Sequence, residues 1–233
     1  LLVFFFFNDT ATTEIYTDGI LEASGSAPSS FSAADADAGD QAFIIGGRNA
    51  ATQNTWDGRF DEFRFSDVAL ASSEFLSAPP ASSTVAYWQF DSNGSSSGLT
   101  DSVGTYDLVV AEGTGFAANS TASINPVPNP DMTVGFAGNP SANPDPGLSH
   151  DSLSLPGGSG QHYLNVPSDP GDVFNLSGKS FTFEGWFQHN ASVTPDGFGH
   201  IIGGSRNAGG FGGYLLKMEA DGSIQGYFRD NTN

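Results

Sequence analysis

Short apolar runs alternate with clusters of glycine, proline, asparagine and serine along most of this chain. Runs of this kind, bounded by turn residues, predict β-strands, and together they predict a sandwich or barrel. The Asp-Gly pairs at 57–58 and 221–222 are typical of tight hairpin turns. The only predicted helical stretch is a short one within 66–75. The principal predicted strands lie at 41–47, 59–66, 85–91, 106–110, 153–167 (two strands around a glycine turn), 177–189, 200–204, 214–222 and 223–230.

The composition fits one sizeable all-β core. The chain has 233 residues with 20 Phe, 30 Gly and 13 Pro, and only 14% of its residues are charged. Sandwich domains of roughly 200–250 residues are routine as single units. Residues 79–84 are predicted to be a linker, because Pro79 and Pro80 stop a helix and small residues surround them.

The charge and the missing cysteines exclude several function classes. The formal net charge is −19, which repels phosphate backbones, so we expect no nucleic-acid partner. With no Cys, disulfides, thiolate metal sites and Cys nucleophiles are excluded. No apolar run reaches the roughly 18–20 residues of a membrane span. An acidic surface attracts Ca²⁺, although it also simply keeps a chain soluble.

The first residues have an unusual sequence. NDTATTEIYT, at 8–17, resembles the in-frame translation of sequencing-adapter DNA, and a Phe run precedes it. We therefore expect 1–17 to be non-native and the natural sequence to begin near Asp18. The alternative is a real N-terminal strand, since Phe, Ile, Tyr and Thr all favour strands.

Several motifs resemble a known domain family. GRFDEFRFSDVALASSEF, at 58–75, resembles the closing strand and short helix of a LamG-like domain of the concanavalin A-like lectin/glucanase type. YWQFD at 87–91, SFTFEGWF at 180–187 and GGYLLKMEADGSIQGYF at 212–228 resemble its opening strand, its central strand and a later hairpin. The resemblance implies a concanavalin A-like jelly-roll β-sandwich of two antiparallel sheets.

The order of these motifs is unusual, because the closing motif comes first. Residues 18–78 resemble the C-terminal part of one LamG-like domain, and residues 85–233 resemble the N-terminal part of a second. Both ends of the chain therefore suggest a fragment of a longer reading frame. Our structural hypothesis is that 18–78 completes 85–233 as a circularly permuted jelly roll, which requires Phe63 and Phe65 to lie near Trp186.

The closing strand carries the candidate metal ligands. Strict alternation over 59–66 places Asp61, Phe63 and Phe65 on one face and Phe60, Glu62 and Arg64 on the other. A buried carboxylate beside two Phe rings has to be paired, hydrogen-bonded or metal-bound. The family resemblance implies Ca²⁺ sites near the joined ends of the domain. The candidate ligands are Asp61, Glu62, Asp91 and Asp101; alternatively, Glu62 pairs with Arg64 or another cation, and Asp61 caps a turn.

Two residues are candidates for ligand binding. Trp56 lies beside a turn, where its ring could stack on a sugar, whereas Trp88 and Trp186 are predicted to be core. Glu184 shares a strand face with Trp186 and either faces a ligand groove or is an exposed or salt-bridged strand residue. No pair of carboxylates shows hydrolase spacing, so no catalytic residue is assigned.

The resemblance implies a function outside the cell. The leading hypothesis is a non-catalytic binding or adhesion module of a larger secreted or surface bacterial protein, with a glycan or other cell-surface ligand. The alternatives are a glycoside hydrolase or its accessory domain, and a structural spacer domain. The fold alone does not decide among them.

Overall fold

The structure is a computed structural model in which the described residues form fourteen strands. They are arranged in two sheets in which every paired strand is antiparallel. The predicted all-β sandwich of two antiparallel sheets is therefore confirmed. The described residues are 2–8, 12–17, 20–26, 43–47, 56–71, 74–75, 82–90, 99–112, 127–128, 151–155, 162–166, 173–174, 176, 179–189, 198–204 and 213–229.

The larger sheet has eight strands. They are β1 (Leu2–Asn8), β2 (Thr12–Thr17), β3 (Ile20–Ser26), β5 (Gly58–Ser66), β6 (Thr84–Trp88), β8 (Val127–Pro128), β9 (Asp151–Leu155) and β11 (Phe181–His189). Their order is β3-β2-β1-β11-β5-β9-β8, and β6 pairs with β5 beside β9.

The smaller sheet has six strands. They are β4 (Phe43–Ile45), β7 (Val109–Glu112), β10 (His162–Val166), β12 (Phe198–Gly204), β13 (Gly213–Glu219) and β14 (Ile224–Arg229). Their order is β14-β13-β12-β4-β10-β7. The predicted hairpin between β13 and β14 is present, and Gly222 supplies the positive φ of 84° that its turn requires.

An aromatic core joins the two sheets. Phe43 of β4 is fully buried and stacks on Phe183 of β11 with a ring-centroid distance of 5.1 Å. The same ring lies 5.8 Å from Trp88 and 5.0 Å from Phe174, again measured between centroids. Trp88 is thus a core residue, as predicted. Because large apolar side chains from both sheets meet here, this contact holds the sandwich together.

The two halves of the chain interleave in both sheets. β5 lies between β11 on one side and β6 and β9 on the other, while β4 lies between β10 and β12. Phe65 and Phe183 are paired across β5 and β11, with ring centroids 4.8 Å apart. Phe63 packs directly against Gly185, the neighbour of Trp186. Strands from the two parts of the chain therefore lie side by side in both sheets. That 18–78 completes 85–233 as a permuted jelly roll stays a prediction.

The predicted alternation along 59–66 is wrong, because β5 contains a bulge. The pairing with β11 shifts between the rungs Arg64–Glu184 and Asp61–Trp186, and Glu62 adopts a left-handed φ of 51°. The extra residue returns Phe60 to the same core that holds Phe63 and Phe65. Asp61 consequently lies on the opposite face of the sheet.

Gly185 makes room for this bulge. A Cβ built on Gly185 would lie 2.8 Å from Cδ2 and 3.2 Å from Cα of Phe63. Any larger residue would therefore push against the backbone of the bulged strand.

The N-terminal segment forms part of the larger sheet. β1 pairs with β11 on one side and with β2 on the other. Residues 2–8 and 12–17 therefore form strands, as the alternative interpretation of this segment predicted. The non-native origin of 1–17 stays a prediction.

One predicted pairing differs in the structure. The strands β9 and β10, predicted around one glycine turn, pair in different sheets. Packing decided an outcome that local propensity left open. Residues 72 and 73 of the predicted short helix lie outside the described residues; next to them, the N–H of Glu74 donates to the carbonyl of Ala71 over 2.8 Å.

Candidate functional site

A polar cluster lies on the face of the larger sheet that points away from the core. Glu184 and Trp186 lie two residues apart on β11, so their side chains point to the same face of the sheet. Residues paired across neighbouring strands also share a face, and Glu184 is paired with Arg64 while Trp186 is paired with Asp61. We call these four residues the β5–β11 cluster. All four are at most 2% exposed, so the cluster is a buried polar layer behind the core.

An ion pair joins the two halves of the chain within the cluster. Arg64 Nε lies 3.0 Å from Glu184 Oε1, and the two side chains are 3% and 0% exposed. The Arg64 guanidinium also lies 5.5 Å from the centre of the Tyr87 ring, a cation–π arrangement. Of the alternatives for Glu184, the structure shows the salt-bridged strand residue. Its ligand-binding role stays a prediction.

Asp61 and Glu62 are held by the bulge. The N–H of Glu62 donates to Asp61 Oδ1 over 3.0 Å, so Asp61 does hydrogen-bond the backbone of its own turn. Both residues are buried, at 0% and 5% exposure. A non-glycine residue in the left-handed region persists only where its surroundings impose it. The tight fit of the bulge against β11 supplies that constraint.

Asp101 organises the loop that follows β6. Its Oδ1 accepts hydrogen bonds from the N–H groups of Tyr87 and Val103, at 2.9 and 3.0 Å, and its Oδ2 accepts one from Tyr106 at 3.1 Å. Asp101 is 5% exposed. Three backbone donors surround the carboxylate, which gives it a structural role in this loop.

Three of the four candidate calcium ligands, Asp61, Glu62 and Asp101, lie among the described residues. Ca²⁺ takes six to eight oxygen ligands, usually with several carboxylates. Within the described ranges, no group of three or more His, Asp or Glu side chains is placed to hold a metal ion. The remaining candidate, Asp91, lies outside the described residues. The calcium site therefore stays a prediction.

Trp56 lies in the core, with an exposure of 0%. Its ring lies 5.6 Å from Phe60, 5.9 Å from Phe187 and 5.2 Å from His189, measured between centroids. Neither face of a fully buried ring can stack on a sugar in this conformation. Its indole Nε1 is buried and has no hydrogen-bond partner in the described part of the chain.

Sequence reasoning missed a second face, on the smaller sheet. Along β10, Leu164 and Val166 belong to the core, so Tyr163 and Asn165 point to the opposite side. Asn165 is paired with Ile44 of β4, and Ile44 packs with Tyr163 in a small buried cluster. The alternation in HYLNV could have indicated this face.

The two polar side chains of this face are unusual. Tyr163 and Asn165 are each 1% exposed, and neither the Tyr163 hydroxyl nor Asn165 Oδ1 has a hydrogen-bond partner among the described residues. Burial raises the pKa of the Tyr163 hydroxyl above its ordinary value. This side chain is therefore a neutral hydroxyl at physiological pH.

One comparison with known proteins finds a family that is similar to part of the chain. In the described part of the chain, no helix has the length and apolarity needed to cross a bilayer. The family model of the concanavalin A-like lectin/glucanases superfamily, Laminin_G_3, matches residues 2–75, while no curated protein and no solved structure matches the chain. The matched segment supplies strands to both sheets. Residues 2–75 are thus similar to the concanavalin A-like lectin/glucanase superfamily, and the two antiparallel sheets are consistent with its jelly-roll fold.

Proposed function

We propose that this protein is a non-catalytic binding or adhesion module with a glycan ligand. The superfamily is named for lectins and glucanases, so both binding and hydrolysis of glycans are compatible with the fold. The arrangement of the buried acidic side chains favours binding.

The observation that carries the proposal is the engagement of Glu184. Glycoside hydrolysis uses two carboxyl groups, one of which donates a proton to the leaving group. Glu184 lies in a central strand, but Arg64 contacts it at 3.0 Å and its side chain is 0% exposed. A guanidinium at this distance stabilises the ionised carboxylate and disfavours a proton-donating acid.

Asp101, another buried acidic side chain of the described residues, has a comparable structural role. Both oxygens of Asp101 accept hydrogen bonds from backbone N–H groups, which hold the carboxylate within its own loop. Neither carboxylate is presented to a substrate. A binding module needs no such pair, so this arrangement is compatible with its function.

We further propose a secreted or cell-surface location in a larger bacterial protein. LamG-like domains are typically extracellular. The formal charge of −19 suits a soluble exterior, because charge of one sign keeps proteins dispersed.

A glycan-array screen with the full chain tests the proposal, run with and without EDTA. The bound glycans are then incubated with the protein, and reducing ends are measured over time. We expect retention of at least one glycan with no rise in reducing ends. Turnover would instead indicate a glycoside hydrolase, and the absence of any binding would favour a structural spacer.

A further inference from the structure

We infer that strand β3 is an interaction surface for a second copy of this chain, and that Glu22 keeps this surface unpaired. This property goes beyond the proposed glycan binding and does not depend on it. β3 is the last strand of the larger sheet, and in the described part of the chain it pairs with β2 on one side only. An edge strand presents unpaired backbone N–H and C=O groups, to which a further strand can add.

β3 is open to solvent along its whole length. All seven of its residues are exposed. Ile20 and Leu21 are 53% and 47% exposed, and they are two of the four exposed large apolar side chains in the described ranges. A Cβ on Gly25 would meet no atom within 4 Å. A second strand can therefore approach this edge without displacing the described chain.

The sequence of β3 fits a second copy of itself in the antiparallel direction. We take the register in which Ala23 lies opposite Ala23 of the second copy, because it pairs all seven residues of the strand. The opposite pairs in this register are Ala23–Ala23, Glu22–Ser24, Leu21–Gly25 and Ile20–Ser26. Each larger side chain then lies opposite a small one, so the two larger sheets can join into one without a steric clash.

An extra residue in β3 opposes this pairing. Two successive rungs between β2 and β3 are Ile15–Ala23 and Tyr16–Leu21, so Glu22 is a bulge with no partner on β2. A bulge bends its strand and increases the local twist, which disturbs the even spacing of the free N–H and C=O groups. Bulges on edge strands are one of the devices that prevent sheets from pairing edge to edge.

The charge of Glu22 opposes the pairing as well. In the register centred on Ala23, the two Glu22 side chains are diagonal neighbours on adjacent strands, about 7–8 Å apart. This separation does not exceed the Debye length of about 8 Å at physiological ionic strength, so the repulsion is only partly screened. β3 has no Lys or Arg to offset it. The bulge and the carboxylate therefore act in the same direction.

The test compares variants of the full chain by sedimentation equilibrium. Deleting Glu22 keeps all six rungs between β2 and β3 and makes them continuous. Glu22→Thr removes only the charge, and Thr suits a strand. The matched control is Asp67→Thr, which removes one exposed carboxylate after β5, four strands away in the sheet. We expect the control to self-associate as weakly as the wild type, Glu22→Thr to associate more strongly, and the deletion variant to associate at least about tenfold more strongly than the wild type.

Hydrogen exchange locates the contact. The amides of residues 20–26 should become protected as the concentration of the deletion variant rises. Association of both Glu22 variants no stronger than that of the control would overturn the inference, and so would protection confined to other residues. A wild type that already associates through 20–26 would show that Glu22 does not keep this edge unpaired.

Circular dichroism confirms that each variant is folded. If the deletion variant does not fold, Glu22→Thr decides the question, because an exposed substitution that keeps the bulge should leave the fold intact. Stronger association than the control, with protection at 20–26, would support the inference. Association equal to the control would overturn it.

Discussion

Replacing Arg64 or Glu184 alone should destabilise this protein far more than replacing both. Each single variant leaves the other charge buried, since the two side chains are 3% and 0% exposed. Removing one partner of a buried pair typically costs about 3–5 kcal/mol, whereas exchanging both for apolar residues of similar size is often neutral. We therefore expect Arg64→Met and Glu184→Met each to fall in that range, and the double variant to lie within about 1 kcal/mol of the wild type.

The magnitude follows from the geometry. At the observed 3.0 Å, the attraction between the two charges is about 5 kcal/mol with an effective dielectric constant of about 20. The cost of taking both charges out of water offsets most of it, so the pair contributes little net stability. The loss of unfolding free energy in the double variant should therefore be much smaller than the sum of the losses in the two single variants.

The assay is urea unfolding followed by tryptophan fluorescence, because Trp186 lies in the same cluster. The matched control is the pair Lys217–Glu219 on β13, whose side chains are 11% and 23% exposed. There, Lys217→Met should cost less than either single variant of the cluster, since this pair is less completely buried than Arg64 and Glu184. Additive effects of Arg64→Met and Glu184→Met would refute the reasoning, and so would single losses no larger than that of the control.

Three further predictions follow from the fold, the titrating groups and the acidic side chains. Gly185→Ala should lower the free energy of unfolding by about 1–3 kcal/mol, because the added Cβ would press on Phe63. The control is Gly25→Ala, whose Cβ would meet nothing within 4 Å and which should be neutral or stabilising. Equal effects of the two substitutions in urea unfolding would contradict the contact with Phe63. Burial, together with the hydrogen bond to Glu14, raises the pKa of Tyr16 to about 12. Since an unfolded tyrosine titrates near pH 10, this stabilisation should be complete below about pH 10 and lost as the pH rises through about 12. Urea midpoints across this range should fall more in the wild type than in Tyr16→Phe, and parallel curves would contradict the assignment. Finally, the predicted calcium site is tested by thermal melting in calcium and in EDTA: a higher melting temperature in calcium would support the site, and equal melting temperatures would count against it.

The strands with strong local signals could be predicted from the sequence. The run at 177–189 contains β11, and the Asp221-Gly222 pair forms the predicted turn between β13 and β14. These elements depend on alternation and on turn chemistry, both of which act between near neighbours in the chain. The family resemblance and the two-sheet architecture followed from the order of such elements.

The candidate site was less predictable, as the bulge in β5 shows. Strict alternation placed Phe60 opposite Phe63, but the extra residue at Glu62 puts both in the core and turns Asp61 outward. The bulge depends on the missing side chain of Gly185, which is distant in sequence. Alternation along one strand carries no information about its partner, so it could not reveal the bulge.

By itself, then, the sequence determined the all-β class, the principal strands and the two sets of motifs at 18–78 and 85–233, because these follow from local patterns. Only the tertiary structure decided that β4 and β5 insert between strands of the second set, that Glu184 pairs with Arg64, and that Tyr163 and Asn165 share a buried face. The physical reason is that pairing, burial and hydrogen-bond satisfaction depend on which strands become neighbours in space, and in this chain those neighbours come from opposite halves of the sequence.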